Sequence, residues 1–150
     1  MSETGLILDR FIPYRLSVTS NIVSDVISTA YEALFGLSIP EWRVIAVVAE
    51  QDGITQQAIC TVTRMDKVTV SRATLALVDR GLIDRAPNSA DRRSRLLALT
   101  DAGRRLYADV SPKAIEFEAR IFSSFPADEL DRFMTMLRAI EDRALEVGTL

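Results

Sequence analysis

Apolar residues recur every three or four positions along most of this chain, and in one stretch the period drops to two. From about residue 11 to 35, Leu16, Val23, Val26, Ile27, Ala30, Tyr31 and Leu34 keep helical spacing, and Gly36 ends the pattern. Pro13 is tolerated there because it lies near the helix start. Ser38 and Glu41 form a capping-box signature, each able to accept a hydrogen bond from the other's backbone N–H. The following WRVIAVVAEQ is apolar on nearly every side, which predicts a central, buried helix ended by Gly53. Thr55 is an N-cap candidate for QQAICTVTR, and a short break at Arg64 and Met65 leads to a helix capped by Asp66 or its neighbour. Gly81 falls just past the end of that helix. Two short helices with a tight connection predict a helix-turn-helix.

Beyond Gly81 the period changes. Leu82 to Arg85 and RSRLLALT read as two strands around the turn-rich PNSAD, Pro87 to Asp91, with Arg95, Leu97 and Leu99 alternating with Ser94, Leu96 and Ala98. The last third is helical again. One helix starts at Thr100 and bends near Pro112; another follows Phe125-Pro126 and carries Leu130, Phe133, Met134, Leu137, Ile140 and Leu145. A mainly α fold with a small β-hairpin wing follows.

Composition narrows the chemistry. A chain of 150 residues is one domain by length, and 48% apolar with 26% charged residues is the balance of a globular protein. The longest apolar run, Val44 to Ala49, is far below the roughly 20 residues of a membrane span, so no membrane partner is expected. MSETGLILDR lacks the basic start and apolar stretch of a signal peptide, which makes a cytoplasmic location the expectation. The single cysteine, Cys60, excludes an internal disulfide. The absence of histidine removes most transition-metal sites and most triad chemistry. With no glycine-rich phosphate loop and no nucleophile–base pair, neither an enzyme, nor a cofactor, nor a metal site is expected.

Charge distribution says more than net charge. The net charge is −3, yet Arg64 to Arg105 holds ten basic residues against five aspartates, so this window is +5 and the rest of the chain −8. Local field steers binding to a polyanion, and the middle of the chain is the candidate surface. A helix N-terminus offers free N–H groups and a positive dipole end, and the major groove of double-stranded DNA admits a helix. On a helix beginning near Asp66, Lys67, Val68, Ser71 and Arg72 point away from the core while Val70, Ala73 and Leu77 point in. Arg72 suits a bidentate contact to guanine, Val68 a thymine methyl, and Lys67 or Thr69 a phosphate. Leu75 also falls on the exposed side, with no role.

DKVTVSR, LVDRGLIDR and DRRSRLLALTDAG together resemble the MarR (multiple antibiotic resistance regulator) family of winged-helix transcription factors. The most specific piece is the wing, where Asp91, Arg93, Leu97, Leu99, Thr100 and Gly103 stand at the family's spacing; the flanking helices match in order and length, so the resemblance covers nearly the whole chain. It implies a winged helix-turn-helix, about residues 38–100, flanked by N- and C-terminal dimerisation helices, about 5–36 and 101–150, in a single domain spanning 1–150. It also implies that Arg93 enters the minor groove, held in place by Asp91, with Arg92 and Arg95 on phosphates. The terminal apolar residues Leu8, Ile12, Leu130, Phe133, Leu137 and Ile140 would then build a homodimer, as two recognition helices set about one DNA turn (roughly 34 Å) apart require. The family commonly binds small, often aromatic or phenolic, effectors between the dimer helices and the winged helix; Phe11, Tyr14, Arg15, Trp42 and Arg43 are the candidates here.

Cys60 falls where such motifs place a small residue at the helix crossing, which predicts a packing role, whereas the sensing cysteine of oxidant-responsive relatives lies near the N-terminus. Arg64 departs from the glycine often found at the turn, which leaves the turn geometry open. The expectation is a homodimeric repressor of a pseudo-palindromic operator, released by a small effector. The alternatives are a winged-helix protein-interaction module with weak DNA binding, and a redox regulator acting through Cys60.

Overall fold

The protein is described by a computed structural model covering residues 5–149. A single 3-10 turn, Leu8–Arg10, precedes α1 (Ile12–Phe35), α2 (Ile39–Glu50), α3 (Gln56–Thr63) and α4 (Lys67–Asp79). Strands β1 (Ile83–Pro87) and β2 (Arg95–Leu99) then lead to α5 (Asp101–Phe122) and α6 (Ala127–Gly148). By contacts the chain divides at Pro112 into two compact units.

In the first unit, each helix starts and stops for a local reason. Pro13 occupies the first turn of α1, and Gly36 closes it in the left-handed conformation (φ 62°) with its N–H on the Glu32 carbonyl at 3.0 Å. The Arg80 guanidinium, from the other end of the motif, donates to the carbonyls of Gly36 (3.1 Å) and Phe35 (3.3 Å). A cation on these last carbonyls complements the helix dipole and ties the ends of α1 and α4 together. The capping box of α2 is complete: Ser38 N–H donates to Glu41 Oε1 at 3.1 Å and Glu41 N–H to Ser38 Oγ at 3.3 Å. This helix stops at Glu50, short of Gly53, because Gly53 (φ 82°) is already turning into a strand-like contact. Gly53 N–H donates to the Leu97 carbonyl at 2.9 Å, and Leu97 N–H to the Ile54 carbonyl at 2.8 Å.

Thr55 and Asp66 cap α3 and α4, through Ala58 N–H at 3.2 Å and Thr69 N–H at 2.8 Å. Beyond the C-terminal end of α4, Gly81 (φ 72°) donates to the Val78 carbonyl and Leu82 to the Leu77 carbonyl, both at 2.9 Å. This is a Schellman closure, completed by the two buried leucines. It aims the chain directly into the hairpin, where β1 and β2 pair antiparallel in the register Ile83 with Leu99 and Arg85 with Leu97. Leu97 and Leu99 face inward, meeting Val44, Ile45, Val48, Ile59, Val70, Leu77 and Ile83 in a core that water does not reach. Fully burying one such side chain contributes roughly 1.5–3 kcal/mol.

Thr100 links hairpin to helix: its Oγ1 donates to the Gly81 carbonyl at 2.6 Å and accepts from Gly103 N–H at 3.0 Å. Gly103 lies so close to the Leu82 carbonyl oxygen that a Cβ would overlap it. Trp42 of α2 is held between Tyr31 of α1, edge-on at 5.7 Å, and Tyr107 of α5, stacked at 5.7 Å. Burial raises the Tyr31 phenol above its ordinary pKa. The α5 helix runs through Pro112 without interruption.

The second unit contains the rest of α5 and α6. Phe125 N–H closes the turn on the Phe122 carbonyl at 3.0 Å, and Leu130 N–H starts α6 on the Pro126 carbonyl at 3.1 Å. Phe122, Phe125, Glu129, Leu130 and Phe133 line a cavity of about 260 Å³. Phe133, Met134, Met136, Leu145 and Val147 are all exposed along α6. No single helix among the described residues is long and apolar enough to cross a membrane; α1 and α2 would satisfy such a test only jointly, and they are bent by 78°.

Candidate nucleic-acid interface

The structure distributes the expected contact residues over two neighbouring places, the first turns of α4 and the hairpin. On α4, Val70, Ala73 and Leu77 are buried, so Lys67, Val68, Ser71 and Arg72 are turned outward, Val68 with 58% of its surface exposed. Thr69 is half-buried and its hydroxyl is engaged: it donates to Asp66 Oδ2 at 3.0 Å while its backbone N–H donates to Oδ1. Asp66 is therefore the N-cap, and these hydrogen bonds, the backbone one first, hold its carboxyl below the ordinary carboxylate range. Arg72 borders a groove of about 290 Å³ with Ser38, Pro40 and Glu41 at the start of α2.

The wing tip is built by short polar side chains. Asp91 Oδ1 accepts the backbone N–H of Arg93 at 3.0 Å, its carbonyl accepts Ser94 N–H at 3.2 Å, and Asn88 Nδ2 donates to Ser94 Oγ at 2.9 Å. Asp91 thus holds Arg93 by its main chain and forms no ion pair with the guanidinium among the described residues, which leaves that charge free. Arg92, Arg93 and Arg95 are all exposed.

Between these places lie residues that sequence reasoning missed. Gln56 and Gln57, at the start of α3, border a groove of about 410 Å³ shared with Arg85, Asp91, Arg93, Ser94 and Arg95. The same two glutamines border a second groove, of about 420 Å³, with Cys60 and Lys67. They therefore bridge the recognition helix and the wing. Two polar residues directly after a threonine cap were the available signal; Arg85 was visible only as one more basic residue of the window. Cys60 is half-buried, not packed away at a helix crossing, because it opens onto this second groove.

Electrostatically the face carries several cations without ion-pair partners. Among the described residues, Lys67, Arg72, Arg85, Arg92, Arg93 and Arg95 form no ion pair, whereas Arg104 pairs with Asp101 at 3.1 Å. Unpaired cations along a groove attract a polyanion.

The expected effector residues are dispersed. Trp42 is in the aromatic stack, Arg43 is exposed, and Arg15 donates to Asp9 at 3.1 Å. Phe11 lines a hollow with Gly5, Leu6, Ile7 and Arg10, apart from Tyr14, which is exposed.

Known proteins match this arrangement. A MarR family model matches residues 35–94, which span α2 to the wing tip. The Escherichia coli transcriptional regulator HosA is 28% identical over 102 residues, 68% of this chain and 76% of its own. Among solved structures, a MarR/EmrR family transcriptional regulator from Acinetobacter sp. ADP1 superposes with a TM-score of 0.87 at 28% identity, covering 94% of this chain and 99% of that one. CouR from Rhodococcus jostii RHA1, bound to p-coumaroyl-CoA, does so with a TM-score of 0.80 at 26% identity, covering 91% and 95%. Residues 35–94 thus match the MarR family, and with its helix-turn-helix and wing the chain has the fold of MarR-family winged-helix transcriptional regulators.

Proposed function

We propose that the protein is a cytoplasmic, homodimeric repressor that binds a pseudo-palindromic operator and is released by a small effector. The observation that carries the DNA contact is the run of six unpaired cations from α4 to the wing, beside a capped helix N-terminus. In this reading α4 enters the major groove. Arg72 reads guanine, Val68 meets a thymine methyl, Ser71 lies at the base edges, and Lys67 holds a phosphate. Thr69, its hydroxyl bound to Asp66, contributes through its backbone at the helix start. Arg93 enters the adjacent minor groove, braced by Asp91, while Arg92 and Arg95 contact phosphates; Gln56, Gln57 and Arg85 line the backbone path between the two grooves.

Dimerisation is supported by apolar side chains left in water: Leu6, Ile7, Leu8 and Ile12 at the start of the first unit, and Phe133, Met134 and Met136 in the second. Residues 5–36 and 101–150 thus serve as the dimerisation helices and 38–100 as the winged helix-turn-helix. CouR, which holds p-coumaroyl-CoA, supports an aromatic or phenolic effector. Such an effector would act by binding more tightly to a dimer whose recognition helices are misplaced for the operator. Phe11, Tyr14, Arg15, Trp42 and Arg43 are the residues proposed to meet it.

Salt-titrated binding to duplexes selected from random sequence tests the DNA reading. Arg72→Ala is expected to weaken binding to selected duplex by about 1–3 kcal/mol while sparing random duplex; Lys67→Ala is expected to weaken both alike. Equal binding of both duplexes by parent and Arg72→Ala would remove the readout role.

A further inference from the structure

We infer that Arg64, in the turn between α3 and α4, is a phosphate-contacting residue of the DNA interface, a role that rests on the DNA-binding reading above. Arg64 is the one described residue other than glycine with a positive φ, at φ 60° and ψ 14°. Left-handed backbone crowds any Cβ against the next carbonyl, so glycine adopts it freely and arginine does not. The turn imposes this conformation: Arg64 N–H closes α3 on the Cys60 carbonyl at 2.9 Å, and Met65 N–H donates to Thr63 Oγ1 at 3.3 Å. An arginine there works against its own backbone.

The fold does not recover that loss through the side chain. Arg64 is exposed, and its guanidinium makes no hydrogen bond or ion pair among the described residues. Arg80, by contrast, uses its guanidinium to cap α1. What Arg64 supplies therefore lies outside the fold, and its position says what that is. It stands two residues before the Asp66 cap, at the end of α4 that exposes Lys67, Val68, Ser71 and Arg72. A cation at that end meets the phosphates flanking the major groove, and a strained residue at a binding surface marks function over stability.

The test compares Arg64→Gly, Arg64→Asn and Arg64→Lys with the parent chain, on one selected duplex and one random duplex over a range of salt. Glycine and asparagine both accept the left-handed turn, so neither loss of binding can be blamed on unfolding. Arg64→Gly is expected to raise Tm by about 2 °C or more. Both neutral variants are expected to bind both duplexes several-fold more weakly, with the slope of log K against log salt shallower by about 1.8, one phosphate contact from each protomer of the proposed dimer at about 0.9 each. Arg64→Lys should keep the parent slope. Neutral variants with the parent's slope, or a lysine variant that loses it, overturn the inference while leaving the DNA-binding reading intact. A parent that binds neither duplex overturns both.

Discussion

Thr74 is fully buried in α4, between the outward-facing residues and the core, and its Oγ1 has no hydrogen-bond partner among the described residues. A buried hydroxyl without a partner loses its water and gains nothing, so an apolar residue of the same shape is preferable there. Thr74→Val is expected to stabilise the fold by about 1 kcal/mol, read from urea unfolding at unchanged m-value. Asp66 makes the opposite use of a polar group. Its carboxylate accepts the Thr69 N–H at the positive end of α4, which lowers its pKa from the ordinary 3.8. A depressed carboxylate pKa contributes stability that is fully present above the unfolded value and lost as pH falls through the folded one. Asp66→Asn keeps a capping side chain but removes the titration. The Tm difference between parent and Asp66→Asn should stay constant above about pH 5 and shrink below about pH 4; a difference that widens in acid would contradict the cap's charge-assisted role.

Among elements, the wing depends on the junction that follows it. The Schellman closure of α4 sends Leu82 under Gly103, where α5 begins, and Thr100 hydrogen-bonds to both sides of the crossing. No side chain fits between the Leu82 carbonyl and α5. Gly103→Ala is expected to destabilise the protein by about 3 kcal/mol, since the methyl meets backbone that has nowhere to move. The measurement is again chemical unfolding, and a loss below about 0.5 kcal/mol, the range of an ordinary surface substitution, would show that the crossing is loose. The motif DAG at residues 101–103 is legible in the sequence, but the reason for its glycine is not. That reason is a carbonyl some twenty positions upstream, brought there by the turn at Gly81.

At the scale of the whole molecule, apolar side chains in both units lack cover, among them Ile12 at 65% exposure and Phe133 at 45%. In the proposed homodimer a second copy supplies that cover. The parent's Tm should then rise with protein concentration, because only the folded protein associates. Phe133→Glu is expected to sediment as a monomer, to lose the concentration dependence, and to bind a palindromic duplex about 100-fold more weakly as the two half-sites cease to be linked. A variant that sediments and binds as the parent does would exclude Phe133 from the interface.

Features that depend on near neighbours were readable from the residues alone. The capping box at Ser38 and Glu41, the caps at Thr55 and Asp66, the glycine stops at Gly36 and Gly81 and the outward face of Lys67, Val68, Ser71 and Arg72 follow from residues a few positions apart, and each took its expected place. The two-residue period also marked the hairpin, with Leu97 and Leu99 inward. Contacts that join distant segments emerged only in the folded chain. It stopped α2 at Glu50 so that Gly53 and Ile54 could pair with Leu97, and it drew Arg80 onto the end of α1. It opened Cys60 onto a groove and set Gln56 and Gln57 between helix and wing. It also settled the turn at Arg64, whose left-handed backbone is imposed by hydrogen bonds and chain closure and is foreign to the residue's own preference. Short-range propensity and periodicity carry no information about which segments meet, and the proposed DNA-facing surface of this protein is assembled where they do.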